Sequence, residues 1–522
     1  MPVLAQGADV LRRSEILAAV SLAIDLGLGQ PMEHMLRSAL LALRIADRVG
    51  LEESQRANIY YANLLVWIGC HADSFELAGL FSDDIGFRAD YFQVDQRGLP
   101  MYRAFFNHTG AALPPMQRAV ARSRFALRGG TAVRNLISSH CISAGTLAGR
   151  MGLDDGLAAL LANAFERWDG KGLPAGRKGT EIPLEMRVTA LAETAEVFLR
   201  SRGPDGAAAM VRARSGTQFD PDLAALFAGD ADGLTAGLLD GDPWQAALAV
   251  APDDGQLSAA DLDAVLMAVG DFADLKSPYT TGHSRSVAAL AAEAGQDFGL
   301  GASASAVLRR AGWVHDLGRM GVSNEVWDKQ GPLSEADREH IRMHPYLGER
   351  ILARLPGMKE VAGLAGSHHE RLDGSGYPRG LTGDSLGASA RILAAADAFR
   401  TYLEPRPHRP AMGTDEAAAR LRNEVAAGRL DPGAAEAVLA VSGERRRHGH
   451  APTPANLTPR EIEVLALLCQ GQNTMQIASA LVISRKTVRN HVEHIYLKIG
   501  ASNRVGATLF ALEHGLWDPI HG

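Results

Sequence analysis

Between His283 and Asp397 lie seven candidate metal ligands, five of them histidines and two aspartates, in the order His283, His315-Asp316, His344, His368-His369 and Asp397. Their imidazole nitrogens and carboxylate oxygens could serve two metal ions. That mix suits iron, manganese or zinc better than calcium or magnesium. Within the same stretch lies Asp373-Gly-Ser-Gly-Tyr-Pro378. Its glycines permit tight turns near a ligand, and Pro378 stiffens the exit. A helical domain with scattered, satisfied histidines would explain neither the order nor this segment.

The ligand order and the Gly-Tyr-Pro segment together resemble the HD-GYP family of metal-dependent phosphodiesterases. The resemblance implies a helical bundle with metals held between helices. It puts His283, His315, Asp316 and Asp397 on one metal and His344, His368 and His369 on the other, with Asp316 bridging. It implies two divalent metals, iron or manganese ahead of zinc, activating a water that attacks a phosphoryl group. The implied substrate is cyclic di-GMP or a related nucleotide. Tyr377, Arg406 and Arg409 match positions that face substrate. Arg319 stands where the family usually has lysine, beside the catalytic Asp316. Arginine keeps the charge and can fork onto phosphate, but it is a poor proton donor. Tyr279 stands where some members carry a glutamate for a third metal, and Arg400 stands where a second aspartate is common.

The elements that must position these groups read as helices. Ala and Leu are abundant and aromatics few, which favours helix. Val287, Leu290, Ala291 and Ala294 give a helical apolar face. The chain also contains a duplication. Glu166-Arg-Trp-Asp-Gly-Lys-Gly-Leu-Pro174 repeats as Glu370-Arg-Leu-Asp-Gly-Ser-Gly-Tyr-Pro378, and His34 and His140 pair with His283 and His344. The first copy has Val66-Trp67 in place of His315-Asp316, Ala164-Phe165 in place of His368-His369, and Glu193 in place of Asp397. It cannot assemble the same metal pair. It reads as a scaffold, dimerisation or sensing unit, with an insertion between Cys70 and His140 that includes the aromatic stretch 81–92.

A second chemistry lies at the C-terminal end. Thr458 can cap a helix, with Pro459 at its first position and Glu461 completing a capping box. Gly471 ends that helix. A short helix follows near Thr474 to Leu481, then Ser484 caps the next, which stops at Gly500, and a fourth runs from Ser502 to Gly515. Val488, Val492, Ile495 and Ile499 share the inward face of the third helix. Arg485, Lys486, Thr487, Arg489, Asn490, Glu493 and Lys498 lie on or flank the other side. This is local positive charge on a chain of net charge −7, placed on a helix that could enter a major groove. The run from Leu457 to Leu516 resembles the LuxR-type helix-turn-helix domain. The resemblance implies phosphate contacts from Thr487 and Lys498 and base contacts from Arg489 and Asn490, with Glu493 able to accept from cytosine.

The expected architecture is all-α. A degenerate HD domain spans 1–235, a linker 236–257, an HD-GYP domain 258–440, a second linker 441–456, and a four-helix DNA-binding domain 457–522. The expected function is a DNA-binding transcriptional regulator carrying a cyclic-dinucleotide phosphodiesterase. A metal and nucleotide sensor without turnover, or a hydrolase of another phosphate ester, are the alternatives. Expected partners are double-stranded DNA and a second copy of the chain. Cys70, Cys141 and Cys469 lie far apart, which suggests neither a disulfide framework nor a zinc ribbon. With neither a leader-like start nor an apolar run long enough for a membrane span, the expected location is a bacterial cytoplasm.

Overall fold

The computed structural model describes residues 11–95, 98–444 and 454–517. Among them are α-helices, short 3-10 turns and isolated bridges, with no strand. Among the described residues no single helix is long and apolar enough to cross a membrane. The chain divides into two compact units, Met1–Leu262 with Ser323–Glu325, and Asp263–Val322 with Val326–Gly522.

In the first unit the His34–Val49, Glu53–Leu65 and Leu184–Arg214 helices pack around a core that includes Leu36, Ile45, Leu64 and Leu191. The last of these helices is kinked at Gly203. The segment 236–257, expected as a loose linker, is tied into this unit. Its Pro243–Ala249 helix buries Trp244, and Asp254 accepts from Ser14 N at 2.7 Å and from the Tyr61 hydroxyl at 2.9 Å. Most of the expected linker 441–456 lies outside the described residues. The helix before it, Pro432–Glu444, runs past the expected end of the domain.

The two copies share a device that holds the first histidine of each. Asp274 accepts from the backbone N–H of Ser284 at 2.9 Å and from its hydroxyl at 2.7 Å, capping the His283–Asp297 helix from outside it. Asp25 accepts from Met35 N at 3.1 Å at the start of the His34–Val49 helix. Burial raises both carboxyls, Asp274 to about 8 against the lowering effect of His283. The Gly-rich loops are also alike. Glu166 accepts from Ala175, Gly176 and Arg177 N–H groups, and Glu370 from those of Arg379 and Leu381.

Within the second unit the four C-terminal helices enclose a core of Val464, Leu465, Ile477, Val488, Ile495, Ala507 and Ala511. Thr458 and Ser484 cap as expected, accepting from Glu461 N and Thr487 N. The fourth helix starts later than expected, at Arg504 with Asn503 as its cap, because the Asn503 carboxamide reaches Gly506 N at 2.7 Å. This small domain packs on the residues just before His283. The Thr281 hydroxyl donates to Cys469 O, and Arg285, forked onto Asp271, also reaches Leu512 O. Gly282 has φ +73°, and a Cβ there would lie 2.9 Å from Leu512 Cδ2. Only glycine suits both that backbone and that approach.

The first unit holds a buried charge cluster whose loss should be measurable. Glu196 accepts from His34 Nδ1 at 2.5 Å, from Arg37 Nε at 2.6 Å and from Arg200 Nε at 2.9 Å. Burial alone would raise its carboxyl, but His34, Arg200 and Arg37 outweigh that and hold it at about 2. Glu196→Gln leaves the Arg37 and Arg200 guanidiniums uncompensated and should cost about 3–5 kcal/mol in urea denaturation at neutral pH. A depressed carboxylate stabilises above its ordinary pKa and loses that effect as pH falls toward the folded value. The gap between wild type and variant should therefore narrow below about pH 4.5.

Candidate functional site

Each candidate metal ligand comes from a different local setting. His283 opens the His283–Asp297 helix, and His315-Asp316 follow the Ala302–Val314 helix. His344 opens the His344–Leu352 helix, His368 and His369 lie just beyond Lys359–Ala365, and Asp397 sits within Ala388–Leu403. The tight turn after Asp316 packs directly on the start of the His344 helix. A Cβ on Gly318 would fall 2.0 Å from His344 O, so only glycine lets the two segments meet this closely.

The structure brings all seven side chains together. Asp316 Oδ1 lies 3.3 Å from His344 Nε2 and 3.8 Å from His368 Nε2. Its other oxygen, Oδ2, lies 3.6 Å from His315 Nε2 and 3.8 Å from His283 Nε2. Asp397 Oδ1 is 3.2 Å from His283 Nε2 and 3.9 Å from His315 Nε2, and its Oδ2 is 3.5 Å from His369 Nδ1. Two trios, His283-His315-Asp397 and His344-His368-His369, each present ligand atoms close enough to share an ion. Asp316 has one oxygen on each side. Among the described residues every such cluster lies in this unit.

Four of the rings are oriented from behind. His315, His344 and His368 each donate Nδ1–H to the carbonyl three residues earlier, those of Gly312, Ile341 and Ala365, at 2.8, 2.6 and 2.5 Å. His283 Nδ1 faces Glu404 at 2.9 Å. In each case Nε2 is left toward the centre, as metal ligation requires. Burial lowers His315, and burial with neighbouring imidazoles lowers His368 to about 3, so both are neutral donors. Against its own burial, Asp316 is held well below the usual carboxylate range by His315 and Arg319. This donor set, imidazole nitrogens around two buried carboxylates, fits a pair of divalent cations.

Beside the ligands is a cavity of about 550 Å³, lined among others by Tyr279, Arg319, Trp327, Tyr377 and Arg406. Its size falls in the range of pockets that take drug-sized molecules. Arg319 Nη1 donates to Asp316 Oδ2 at 2.9 Å, and its guanidinium lies 4.0 Å from the centroid of Trp327. Tyr377 sits 4.7 Å from His369, ring to ring. Arg406 reaches the cavity and donates to Tyr279 O at 3.0 Å. Arg409, read from the sequence as facing substrate, is absent from the lining. Its guanidinium is taken up by the carbonyls of Thr401, Tyr402, Glu404 and Pro410, which makes it a clamp on the loop that carries Arg406.

Two residues were not singled out from the sequence. Glu404 orients His283, with Arg406 at 3.0 Å and Arg400 at 3.8 Å on its other sides. Asp274 caps the helix that His283 opens. Asp274 precedes His283 by the same interval as Asp25 precedes His34, so the duplication carried that signal. Glu404 had none, because its role depends on a turn after the Ala388–Leu403 helix.

In the C-terminal domain Arg485, Lys486, Thr487, Arg489, Asn490 and Glu493 are all exposed on the Arg485–Ile499 helix. Lys498 is engaged differently. Its ammonium reaches Glu461 at 2.7 Å and Asn456 O at 3.1 Å, fastening the recognition helix to the start of the domain.

Because Glu404 touches His283 and no other candidate ligand, Glu404→Gln should weaken metal uptake selectively. We expect a 10–100-fold loss of affinity for one of two ions, read by elemental analysis of the full chain titrated with manganese. An unchanged stoichiometry and affinity would exclude this positioning role.

Residues 268–433 match the HD domain family, and residues 455–511 match the bacterial regulatory proteins of the luxR family. Over 411 residues the chain is 32% identical to the 3'3'-cGAMP-specific phosphodiesterase 3 of Vibrio cholerae, covering 78% of this chain and 89% of that one. Over 156 residues it is 36% identical to the cyclic di-GMP phosphodiesterase response regulator RpfG of Xanthomonas campestris, covering 29% of this chain and 40% of that one. Among solved structures it is similar to a cyclic GMP-AMP specific phosphodiesterase of V. cholerae, V-cGAP3, with a TM-score of 0.58 and 27% identity over 84% of this chain and 98% of that one. With its ligand set, its Gly-Tyr-Pro loop and its C-terminal helices, the chain belongs to the HD-GYP family of metal-dependent phosphohydrolases and carries a LuxR-type DNA-binding domain.

Proposed function

We propose that this protein hydrolyses a cyclic dinucleotide, 3'3'-cGAMP or cyclic di-GMP, and regulates transcription through its C-terminal domain. The observation that carries the catalytic half is the division of the Asp316 oxygens between two imidazole sets beside the cavity. The relative matched over most of its length is named for 3'3'-cGAMP, which moves that nucleotide ahead of the cyclic di-GMP implied by the family resemblance. Both share the phosphodiester chemistry that the site would address.

His283, His315 and Asp397 would hold one ion and His344, His368 and His369 the other, with Asp316 between them; iron or manganese suits these donors. When bound, two such cations lower the pKa of an attacking water and offset charge on the phosphoryl oxygens. The chain's own groups supply the rest. Arg319 and Arg406 offer cations to the non-bridging phosphate oxygens. Tyr377 and Trp327 offer ring faces to a base. Arg319 is held by Asp316 and Trp327 in a fixed pose, which also suits a second reading, a sensor that binds nucleotide without turnover.

One test separates these readings. Full-length protein loaded with iron or manganese is incubated with each nucleotide and the products are resolved by chromatography. We expect the linear dinucleotide to appear. Asp316→Ala should abolish it with little change in circular dichroism, and Arg319→Lys should keep or raise the rate. Binding without product in the loaded wild type would favour the sensor.

DNA binding would be coupled to this site through residues 277–282. Ser277 and Tyr279 line the cavity, while Thr281 meets the first helix of the C-terminal domain and Gly282 lies against Leu512 of its fourth. A single helix-turn-helix buries little surface, so a homodimer on a near-palindromic site in the bacterial cytoplasm is the proposed active form. In mobility-shift titrations across salt, Arg489→Ala should relax preference at one base position per half-site. Lys498→Ala, which breaks the Glu461 pair, should lower the thermal stability of the domain as well as its affinity for all sequences. Equal losses on specific and random DNA for Arg489→Ala would reduce that residue to a positioning contact.

A further inference from the structure

The first copy did not simply lose its metal centre; aromatic rings replace it. Trp67, His140 and Phe165 occupy the positions matching Asp316, His344 and His369. Trp67 lies 5.3 Å from Phe165 and 4.9 Å from Phe92, ring to ring, and His140 lies 4.8 Å from Phe165. Phe92 comes from the insertion peculiar to this copy. The same insertion contributes stacked Phe81 and Phe87, 4.2 Å apart. Between the old site and these rings is a cavity of about 80 Å³, walled by Trp67, Phe87, Phe105, Val133, His140 and Phe165 among others.

The wall is mostly apolar, with Cys70, Asp73, Arg88 and Tyr91 also lining it, and two ring nitrogens in it are left for a ligand. His140 donates Nε2–H to Val66 O at 2.7 Å, which leaves Nδ1 as an acceptor. That Nδ1 and the Trp67 Nε1–H are buried and make no hydrogen bond. Burial lowers His140 to about 4, so its ring is neutral. The one guanidinium in the wall, Arg88, is balanced by Asp84 at 2.8 Å and bonded to Gly27 O, Cys70 O and Ser74. No cation is therefore set aside for phosphate. Buried donors and acceptors left unmade are costly, and a water needs two to four polar partners to settle in such a space. An apolar cavity on the order of 150 Å³ takes benzene; this one has about half that volume, which limits its occupant to a molecule smaller than a benzene ring, such as a short-chain alcohol.

We propose that the first copy is a binding site for a small, neutral, apolar molecule bearing one hydroxyl. The hydroxyl donates to His140 Nδ1 and accepts from Trp67 Nε1–H, and the short carbon chain lies against Phe87, Phe105 and Phe165. The site excludes nucleotides by size and anions by charge. It makes the degenerate copy a ligand-sensing unit and does not depend on the reaction assigned to the second copy.

The test uses full-length protein and 1-propanol as probe, followed by saturation-transfer NMR and isothermal calorimetry, with propionate for comparison. We expect one propanol per chain and no binding of propionate. Trp67→Phe keeps a ring and removes the donor; it should weaken propanol about tenfold, the equivalent of one buried hydrogen bond. Val133→Phe fills the cavity from a partly buried position and should abolish binding while circular dichroism stays native. Absence of propanol binding to wild type overturns the proposal. So does binding that survives in folded Val133→Phe, or binding of propionate as tight as that of propanol.

Discussion

The second unit turns on one carboxylate. Asp316 is buried and ionised, and its two oxygens face two separate groups of imidazoles. A buried charge is tolerable only when compensated. The Arg319 guanidinium, 2.9 Å away, does this in the protein alone, and the surrounding imidazoles are placed where they could share cations with it. Much of the neighbouring structure can be understood as support for that arrangement. Three histidines are turned by their own backbone carbonyls, and the fourth by Glu404. Gly318 allows the Asp316 turn to lie against the His344 helix.

The two copies show how far one scaffold can be re-used. Both keep an aspartate capping the first histidine helix and a glutamate gathering the N–H groups of the Gly-rich loop. These interactions hold backbone, so they survive a change of chemistry. Ligand positions carry side-chain chemistry and were free to change. Once Asp316 and His369 became Trp67 and Phe165, the interior had to satisfy packing instead of coordination. The inserted Phe92 fills space beside them.

The same rule separates the arginines. Arg319 and Arg406 line the cavity, whereas Arg409 spends its donors on four carbonyls of a loop. Lys498 likewise serves the frame of the DNA-reading domain through Glu461. A cation's type shows what it can bind, while its neighbours decide what it does bind.

What the sequence determined by itself was periodic or ordered along the chain. The helical class, the seven ligand candidates, the duplication, and the Thr458 and Ser484 caps depend on residue type at short or repeated intervals, and local backbone chemistry reads those intervals directly. Tertiary structure decided the rest. Trp244 and Asp254 draw the 236–257 segment into the first unit through partners far away in sequence. The fourth C-terminal helix starts at Arg504 instead of Ser502 because the geometry of one turn puts the Asn503 carboxamide on Gly506 N. Glu404 becomes the partner of His283 only when a loop folds back across more than a hundred residues. Such roles come from the meeting of distant segments, where burial removes water and leaves each polar group dependent on whatever lies opposite.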